Sequence, residues 1–456
     1  MRTISSVKTL GDFKGSLSPN SFQPDTNQES RKDWQSTRPI RQRVALMVVA
    51  NEFKTATRVR REVRSLASKG YDFHVLCWDR QGRSPPREKM DHCVVRNVRL
   101  GKTASLPFSR LYYVVAAVLF QTIIFIWAMK QIAKLHAVIL HAHDFNALLG
   151  CAAVKLVLRN RVRLVYDCHE LTPGLFQEWF GPFISAIVGR LEGVAISQAD
   201  AIISVNEAVH HHLKQQNLIR SEIIYNSPAM SEVPKIQPVD AKTKLGLSDR
   251  FVILFSGLVR QDYDFDIILQ AARELKDSHL TGIIFVLVGP SEAMLPLIKT
   301  VTDVGVRSYF DFRGWVPEDE LLIYYRASDL CYAVTRDLGP STKILTPIKM
   351  FESMACGVPV IVRDRTLAAE IVRYWGCGIV INTGSSFAHE LIRLKQSKEG
   401  LRTLGAAGLN AYHQAYSWNL MEAKLVQLYA ELENSHLLSL EPRKLSSSTP
   451  VSQAMR

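Results

Sequence analysis

A chain of 456 residues with 47% hydrophobic and 22% charged residues has apolar mass for two or three folded domains, which excludes a wholly disordered protein. A net charge of +13 points to anionic partners such as nucleotides or phospholipid, but no basic run is interleaved with aromatics, so nucleic acid is not an expected partner. The seven cysteines are scattered without a C-x-x-C pair and read as reduced core residues of a cytoplasmic protein, not as a disulfide frame or a zinc site.

Residues 1–43 are polar, lack the apolar stretch of a signal peptide, and read as a disordered basic tail. Val44–Ala50 is a short apolar run, expected as a buried parallel strand. Thr57–Lys69 is expected as a helix with Val59, Val63 and Leu66 inward; Gly70 stops it, and Phe73–Trp78 alternates as the next strand. This β-α-β unit is the building block of a doubly wound sheet. Further strands are expected at Ala137–His141, Arg163–Asp167, Ala201–Val205 and Ile223–Tyr225, giving a first Rossmann-like domain over 44–232. Residues 233–250 read as a linker. A second α/β domain, 251–400, carries expected strands Val252–Phe255, Ile283–Val288, Asp329–Val334 and Val358–Val362. Closing helices over 401–435 place Trp418 and Tyr429 on their apolar side, and 436–456 reads as a disordered tail. Two such halves leave a ligand cleft between the C-terminal ends of their strands.

Leu111–Met129 is nineteen residues without a charge, within an apolar helix expected over 107–135. It reads as a membrane span, as a buried helix or as a helix half-sunk in a membrane surface. A span would put the strands before and after it on opposite sides of the membrane, and one sheet could not form. The basic run Arg58–Arg64 reads as a solvated helix face or as a contact for anionic lipid.

The chemistry concentrates at strand ends and one helix mouth. Thr346 is expected as an N-cap, Pro347 as the first helical residue, and Gly357 as the helix stop. Lys349 and Glu352 then share one face. A lysine beside a helix N-terminus suits a phosphate, though it also reads as a plain first-turn charge; a carboxylate one turn deeper suits vicinal hydroxyls. His141-Ala142-His143-Asp144 and Asp167-Cys168-His169-Glu170 close two strands. His143 and His169 are candidates for contacts at a reacting centre, with Asp144 and Glu170 orienting them or accepting protons. The plain alternative is histidines satisfied at loop starts, and zinc binding is the less economical reading. Asp262-Tyr263-Asp264 has the form of a divalent-metal motif, but aspartates favour helix starts anyway, and no metal is expected.

The segment T-P-I-K-M-F-E-S-M-A-C-G-V-P-V-I (Thr346–Ile361), with F-R-G-W-V-P-E-D-E-L (Phe312–Leu321), A-S-D-L (Ala327–Leu330) and Y-S-W (Tyr416–Trp418), resembles family 4 glycosyltransferases, which have the GT-B fold. The resemblance covers roughly 44–432 and is strongest over 137–205 and 311–382. It implies an α/β GT-B architecture of two Rossmann-like domains facing each other across a cleft. Glu352 would hold the donor ribose. Gly257, Arg260, Lys343, Thr346 and Lys349 would surround the diphosphate and sugar. The implied reaction moves a sugar from a nucleoside diphosphate sugar to a hydroxyl acceptor, with retention and with neither metal nor other cofactor; the basic charge and the apolar helix favour a glycan or lipid-linked acceptor. The expected setting is polysaccharide biosynthesis in the cytoplasm or, from the basic charge and the apolar helix, peripherally at the inner face of the plasma membrane. Three departures bear on this. Ile344 stands where the family's first motif glutamate falls, eight positions before Glu352. Leu258, Tyr263 and Asp264 replace an arginine and a lysine-glycine pair. Asn51–Lys54 replaces a glycine pair. These leave two rivals open, a non-catalytic scaffold or partner subunit and a nucleotide-sugar epimerase.

Overall fold

The computed structural model describes residues 43–90, 92–100, 109–214 and 219–440; the expected tails lie outside them, apart from Arg43 and the last helix, which runs on to Leu440. The first half holds eight strands: β1 Arg43–Val49, β2 Tyr71–Trp78, β3 Arg87–Met90, β4 Cys93–Val98, β5 Ile139–His143, β6 Arg163–Cys168, β7 Ala201–Ser204 and β8 Arg220–Ile223. Their order is β3-β4-β2-β1-β5-β6-β7-β8, parallel throughout except for the β3–β4 hairpin at the edge. The second half holds six parallel strands: β9 Phe251–Ser256, β10 Ile283–Val288, β11 Phe310–Gly314, β12 Leu330–Tyr332, β13 Val360–Arg363 and β14 Gly378–Ile381, in the order β11-β10-β9-β12-β13-β14. The central strands are apolar on both faces because helices cover both, and Ala45–Val48 and Val252–Phe255 are buried end to end. Each sheet reverses direction once, between β1 and β5 and between β9 and β12, and these reversals open the ligand crevices.

Several local expectations shift. β5 starts two residues later than its apolar run suggested, so His141 and His143 lie inside the strand and, two apart, on one face. β8 ends at Ile223, before Tyr225. The supposed linker contains a helix, Pro238–Lys244. β3, β4, β11 and β14 had no strong periodic signal. All seven cysteines are buried.

The apolar helix is Ser109–Leu135. Ala116, Phe120, Ile124, Trp127 and Ala128 bury against the first sheet, stacking on the layer that contains Trp78. The strand before it and the strand after it are neighbours in one ladder, with Ala45 opposite Ile139, so the helix does not span a membrane. It lies close to the next helix, Phe145–Leu158, where a Cβ on Gly150 would fall 2.8 Å from the Gln121 carbonyl oxygen. The last helix, Trp418–Leu440, returns to the first half. Trp418 Nε1 donates to Ser65 Oγ at 2.9 Å, and the Tyr429 hydroxyl meets His141 Nδ1 at 2.8 Å.

Candidate active site

One wall of the cleft rests on a buried polar cluster beneath β5 and β6. Arg58, on the helix Thr57–Ala67, grips Asp167 with two bonds, Nε to Oδ2 at 2.8 Å and Nη2 to Oδ1 at 2.9 Å, and donates to the Ile224 carbonyl at 2.6 Å. Glu62, one turn on, sits 3.1 Å from Arg58 Nε. His141 and His143 stack at 4.3 Å, with their Nε2 atoms 4.0 and 3.9 Å from Glu62 Oε2. Burial pushes both imidazoles below their usual range. Burial would raise Asp167, but Arg58 and His169 outweigh it and hold the carboxyl well below the usual range. Burial and the Asp167 charge push Glu62 up. Glu62, His141, His143 and Asp167 are donor types that could hold a divalent ion, with ligand atoms within 4.8 Å of one another. Arg58 already supplies positive charge beside both carboxylates, which works against a second cation there.

Above this cluster, His169 bridges two carboxylates. Its Nε2 lies 3.1 Å from Asp167 Oδ2 and its Nδ1 3.3 Å from Asp144 Oδ2. Burial would lower its pKa, but the two carboxylates outweigh burial and raise it to about 9. At neutral pH it is therefore an imidazolium and no proton acceptor. Asp144 takes a φ of +64°, held by its N–H to the Asp167 carbonyl and by its Oδ1, which accepts from the His169 N–H at 3.0 Å. Glu170 stands open in the cleft. Desolvation and the Asp144 charge push its carboxyl up, offset in part by Arg260 across the cleft. His143 is corrected: it is 1% exposed, with Nδ1 turned to Asp167 and His169, so it supports the site from below and makes no contact in the cleft.

The His169 shift has a pH consequence. Its folded pKa lies above the unfolded value near 6.5, so its stabilisation is full below pH 6.5 and is lost as pH rises through about 9. We expect wild-type stability to fall over that window by up to about 3 kcal/mol. His169→Gln should flatten the alkaline slope in urea unfolding, and an unchanged slope would refute the assignment.

The other wall is built on β9, β10 and the helix Ile348–Ala355. Gly257 takes a φ of +114°, and a Cβ on Gly289, in the adjacent turn, would fall 2.1 Å from its carbonyl oxygen. Only glycine fits there, and the strand ends stay bare for a ligand. Lys349 is 5% exposed, and its Nζ lies 3.5 Å from the Tyr263 ring centre and 4.6 Å from that of Phe255. Among the described residues it makes no ion pair. Glu352 Oε2 accepts from the Tyr325 hydroxyl at 2.7 Å, and that hydroxyl lies 2.6 Å from Ser256 Oγ. Burial raises the Glu352 carboxyl despite the Tyr325 bond and the nearby Arg61 and Lys349. Thr346 is not the N-cap. The helix starts at Ile348, and Thr346 Oγ1 accepts from Asn206 Nδ2 at 3.2 Å. Lys343 is half-exposed, 3.5 Å from Asp337. Arg260 is held by both oxygens of Asp262, at 3.0 and 2.6 Å, and Asp264 pairs with Arg363. Each aspartate of the D-x-D segment thus has its own arginine.

The halves meet around the loop that precedes the helix Ile348–Ala355. Asn206 Nδ2 donates to the Ile344 carbonyl at 2.9 Å, and Ser341 donates to Glu178 of the helix Thr172–Phe180. Ile344, at the position of the missing glutamate, packs on the core of the first half, while the Glu178 carboxylate reaches the same loop from across the cleft. The basic run Arg58–Arg64 is not a lipid-facing surface. Arg58 and Arg61 are buried, Arg61 and Arg64 pair with Glu232 at 2.9 and 3.3 Å, and Arg60 pairs with Glu318. Sequence reasoning missed Arg58, Glu62, Glu178 and Tyr325; the i,i+4 spacing of Arg58 and Glu62 was the available signal. A surface groove lined by Gly246, Asp249, Arg250 and Gly282 lies at the opposite, N-terminal ends of β9 and β10 and is not part of the site.

Comparison with known proteins bears on this geometry. Residues 55–228 match the family described as glycosyl transferase 4-like domain, and residues 240–410 match glycosyl transferases group 1. The D-inositol 3-phosphate glycosyltransferase 1 of Catenulispora acidiphila is 26% identical over 309 residues, covering 64% of this chain and 71% of that one. The alpha-monoglucosyldiacylglycerol synthase of Acholeplasma laidlawii is 25% identical over 164 residues, 36% of this chain and 39% of that one. Sucrose-phosphate synthase from Thermosynechococcus elongatus superposes with a TM-score of 0.69 at 17% identity, over 86% of this chain and 100% of that one. Anabaena HepE in complex with UDP-glucose superposes with a TM-score of 0.60 at 16% identity, over 86% and 99%. One family match falls on each parallel-sheet half, and the two halves face each other as in these structures, so the chain belongs to the family 4 glycosyltransferases of GT-B fold.

Proposed function

We propose that this glycosyltransferase moves a hexose from a nucleoside diphosphate sugar to a hydroxyl of a glycan or lipid-linked acceptor, with retention and without a metal. The observation that carries the reading is the pairing on one short helix of a buried ammonium that makes no ion pair among the described residues, Lys349, and a carboxylate one turn deeper, Glu352. The first matches a diphosphate and the second a ribose diol. HepE is described in complex with UDP and with UDP-glucose, and the Acholeplasma relative is named for a lipid product, which supports the donor class and a lipid-linked acceptor.

In this reading the leaving diphosphate gathers charge between Lys349, the mouth of its helix and Arg260, which turns from Asp262 toward the phosphates. Lys349 stands over Tyr263, so it returns in space the cation that the sequence lacks at that position. Glu170 faces the donor from the other wall. Its raised carboxyl suits taking the acceptor proton as the new bond forms on the face the diphosphate leaves. The His169 imidazolium and Asp144 hold that wall in place.

A thermal-shift screen with UDP, GDP, ADP and CMP tests the donor site. One nucleotide should raise the Tm. Lys349→Met should weaken its affinity by about tenfold to a hundredfold while the thioether keeps the aromatic slot filled. No response to any nucleotide would favour the scaffold reading. Retention is checked by NMR of the product anomer, and metal independence by activity in EDTA; donor consumed without acceptor would favour the epimerase.

A further inference from the structure

The first half carries a second surface that the transfer reaction does not use. Three helices lie side by side on one face of its sheet. The helix Phe145–Leu158 is in the middle, flanked by Ser109–Leu135 and by Pro182–Ile196. Their inner sides are core. Their outer sides are apolar too: Val118, Leu119, Leu156, Val157, Phe183 and Val194 are 52–76% exposed. A water-soluble helix layer normally turns polar residues outward, and an apolar surface this extended marks a contact.

Charge says what the contact is. Residues 101–166 hold eight Lys and Arg against one acid, Asp144. Lys130, Lys134, Arg159, Arg161 and Arg190 are exposed on or beside these helices. Among the described residues of the three helices the only acid is Glu192, which is buried and accepts from the Tyr166 hydroxyl at 2.8 Å. An apolar face with a basic rim and no exposed acid is complementary to an anionic bilayer surface, which offers acyl chains under negative headgroups. A second copy of this chain would set those cations against each other.

We propose that the three-helix face docks the protein on the surface of an anionic phospholipid bilayer. The helix Ser109–Leu135 lies along the membrane there, its inner side held by the sheet. The arrangement also orients the cleft. Phe183 lies in the first turn of a helix that follows directly on the helix Thr172–Phe180, whose Glu178 meets Ser341 in the loop before Ile348. Four of the cations flank the starts of β5 and β6, at the far end of the same face. The Phe183 end of the docked face thus lies next to the mouth of the cleft, where a lipid-linked acceptor would enter. The docking itself rests on the helices alone and stands apart from the donor reading.

The test is co-sedimentation of the full chain with vesicles of phosphatidylcholine alone and of phosphatidylcholine mixed with phosphatidylglycerol. Binding is expected to the mixed vesicles, falling as salt rises. Val118→Glu with Phe183→Glu should weaken it by about tenfold or more, with the Tm and the nucleotide-induced shift unchanged. Lys130→Glu with Arg161→Glu should weaken it and reduce its salt dependence. Equal binding to both vesicles, or anionic binding that neither pair of substitutions reduces, would overturn the proposal. So would absence of vesicle binding; a light-scattering mass of a dimer that Val118→Glu with Phe183→Glu splits would then assign the face to a second copy. A lost nucleotide response with vesicle binding intact would count against the donor site and leave the docking standing.

Discussion

Arg58→Met is expected to destabilise the protein by about 3–5 kcal/mol, read as a lower urea midpoint. The guanidinium is 3% exposed and is the fixed positive partner of two carboxylates with no exposure, Glu62 and Asp167. Removing it leaves both in a dry interior, and taking up a proton there relieves only part of the cost. Methionine fills much of the same volume, so the loss reports charge and not a cavity. The double variant Arg58→Met, Asp167→Leu should recover part of the stability, because removing both ends of a buried pair costs far less than removing one. An unchanged midpoint for the single variant would show that the cluster is solvated and that Arg58 does not organise the wall. The same variant should lower kcat, since Asp167 also holds His169, at 3.1 Å, and His169 holds Asp144.

Glu352→Ala should lower kcat/KM by about a hundredfold or more. A carboxylate that accepts from two ribose hydroxyls makes two charge-assisted bonds, each worth about 1.5–3 kcal/mol. Glu352→Gln keeps one acceptor oxygen and should lose only about tenfold. Stability should hardly move in either variant, because the Tyr325 hydroxyl keeps its contact with Ser256 at 2.6 Å. Direct titration of the nucleotide by calorimetry separates this from a folding defect. If nucleotide affinity in Glu352→Ala equals that of the wild type, the ribose contact is misassigned. If affinity falls and kcat does not, Glu352 binds donor and transition state equally.

Much of this was legible in the chain. Buried parallel strands write themselves as short apolar runs, so Val44–Ala50 and Val252–Phe255 announced two doubly wound halves. The helix mouth around Lys349 and Glu352 was legible because every signal in it is local: a proline at the start, a glycine at the end, two charges three apart. The positions of the cysteines inside apolar runs matched their burial for the same reason.

Tertiary structure decided the rest, wherever a residue's meaning depends on partners distant in sequence. Arg58–Arg64 has the composition of a solvated face, yet its partners Asp167, Glu232 and Glu318 stand more than a hundred residues away and turn it into the seam of the cleft. His143 and His169 look alike in sequence. The register of β5 sinks the first beneath the sheet end, while the loop after β6 sets the second between two carboxylates, so one is held neutral and the other charged. In sequence Ile344 reads as a missing motif glutamate, but in the fold it is an apolar contact between halves, with the carboxylate of Glu178 brought to the same loop from the other side. Between Arg110 and Lys130 the helix Ser109–Leu135 is apolar all the way round, so its sequence there carries no inward or outward face. Packing against the sheet assigned one side to the core and left the other exposed, because only contacts between distant segments can break the symmetry of a uniformly apolar helix.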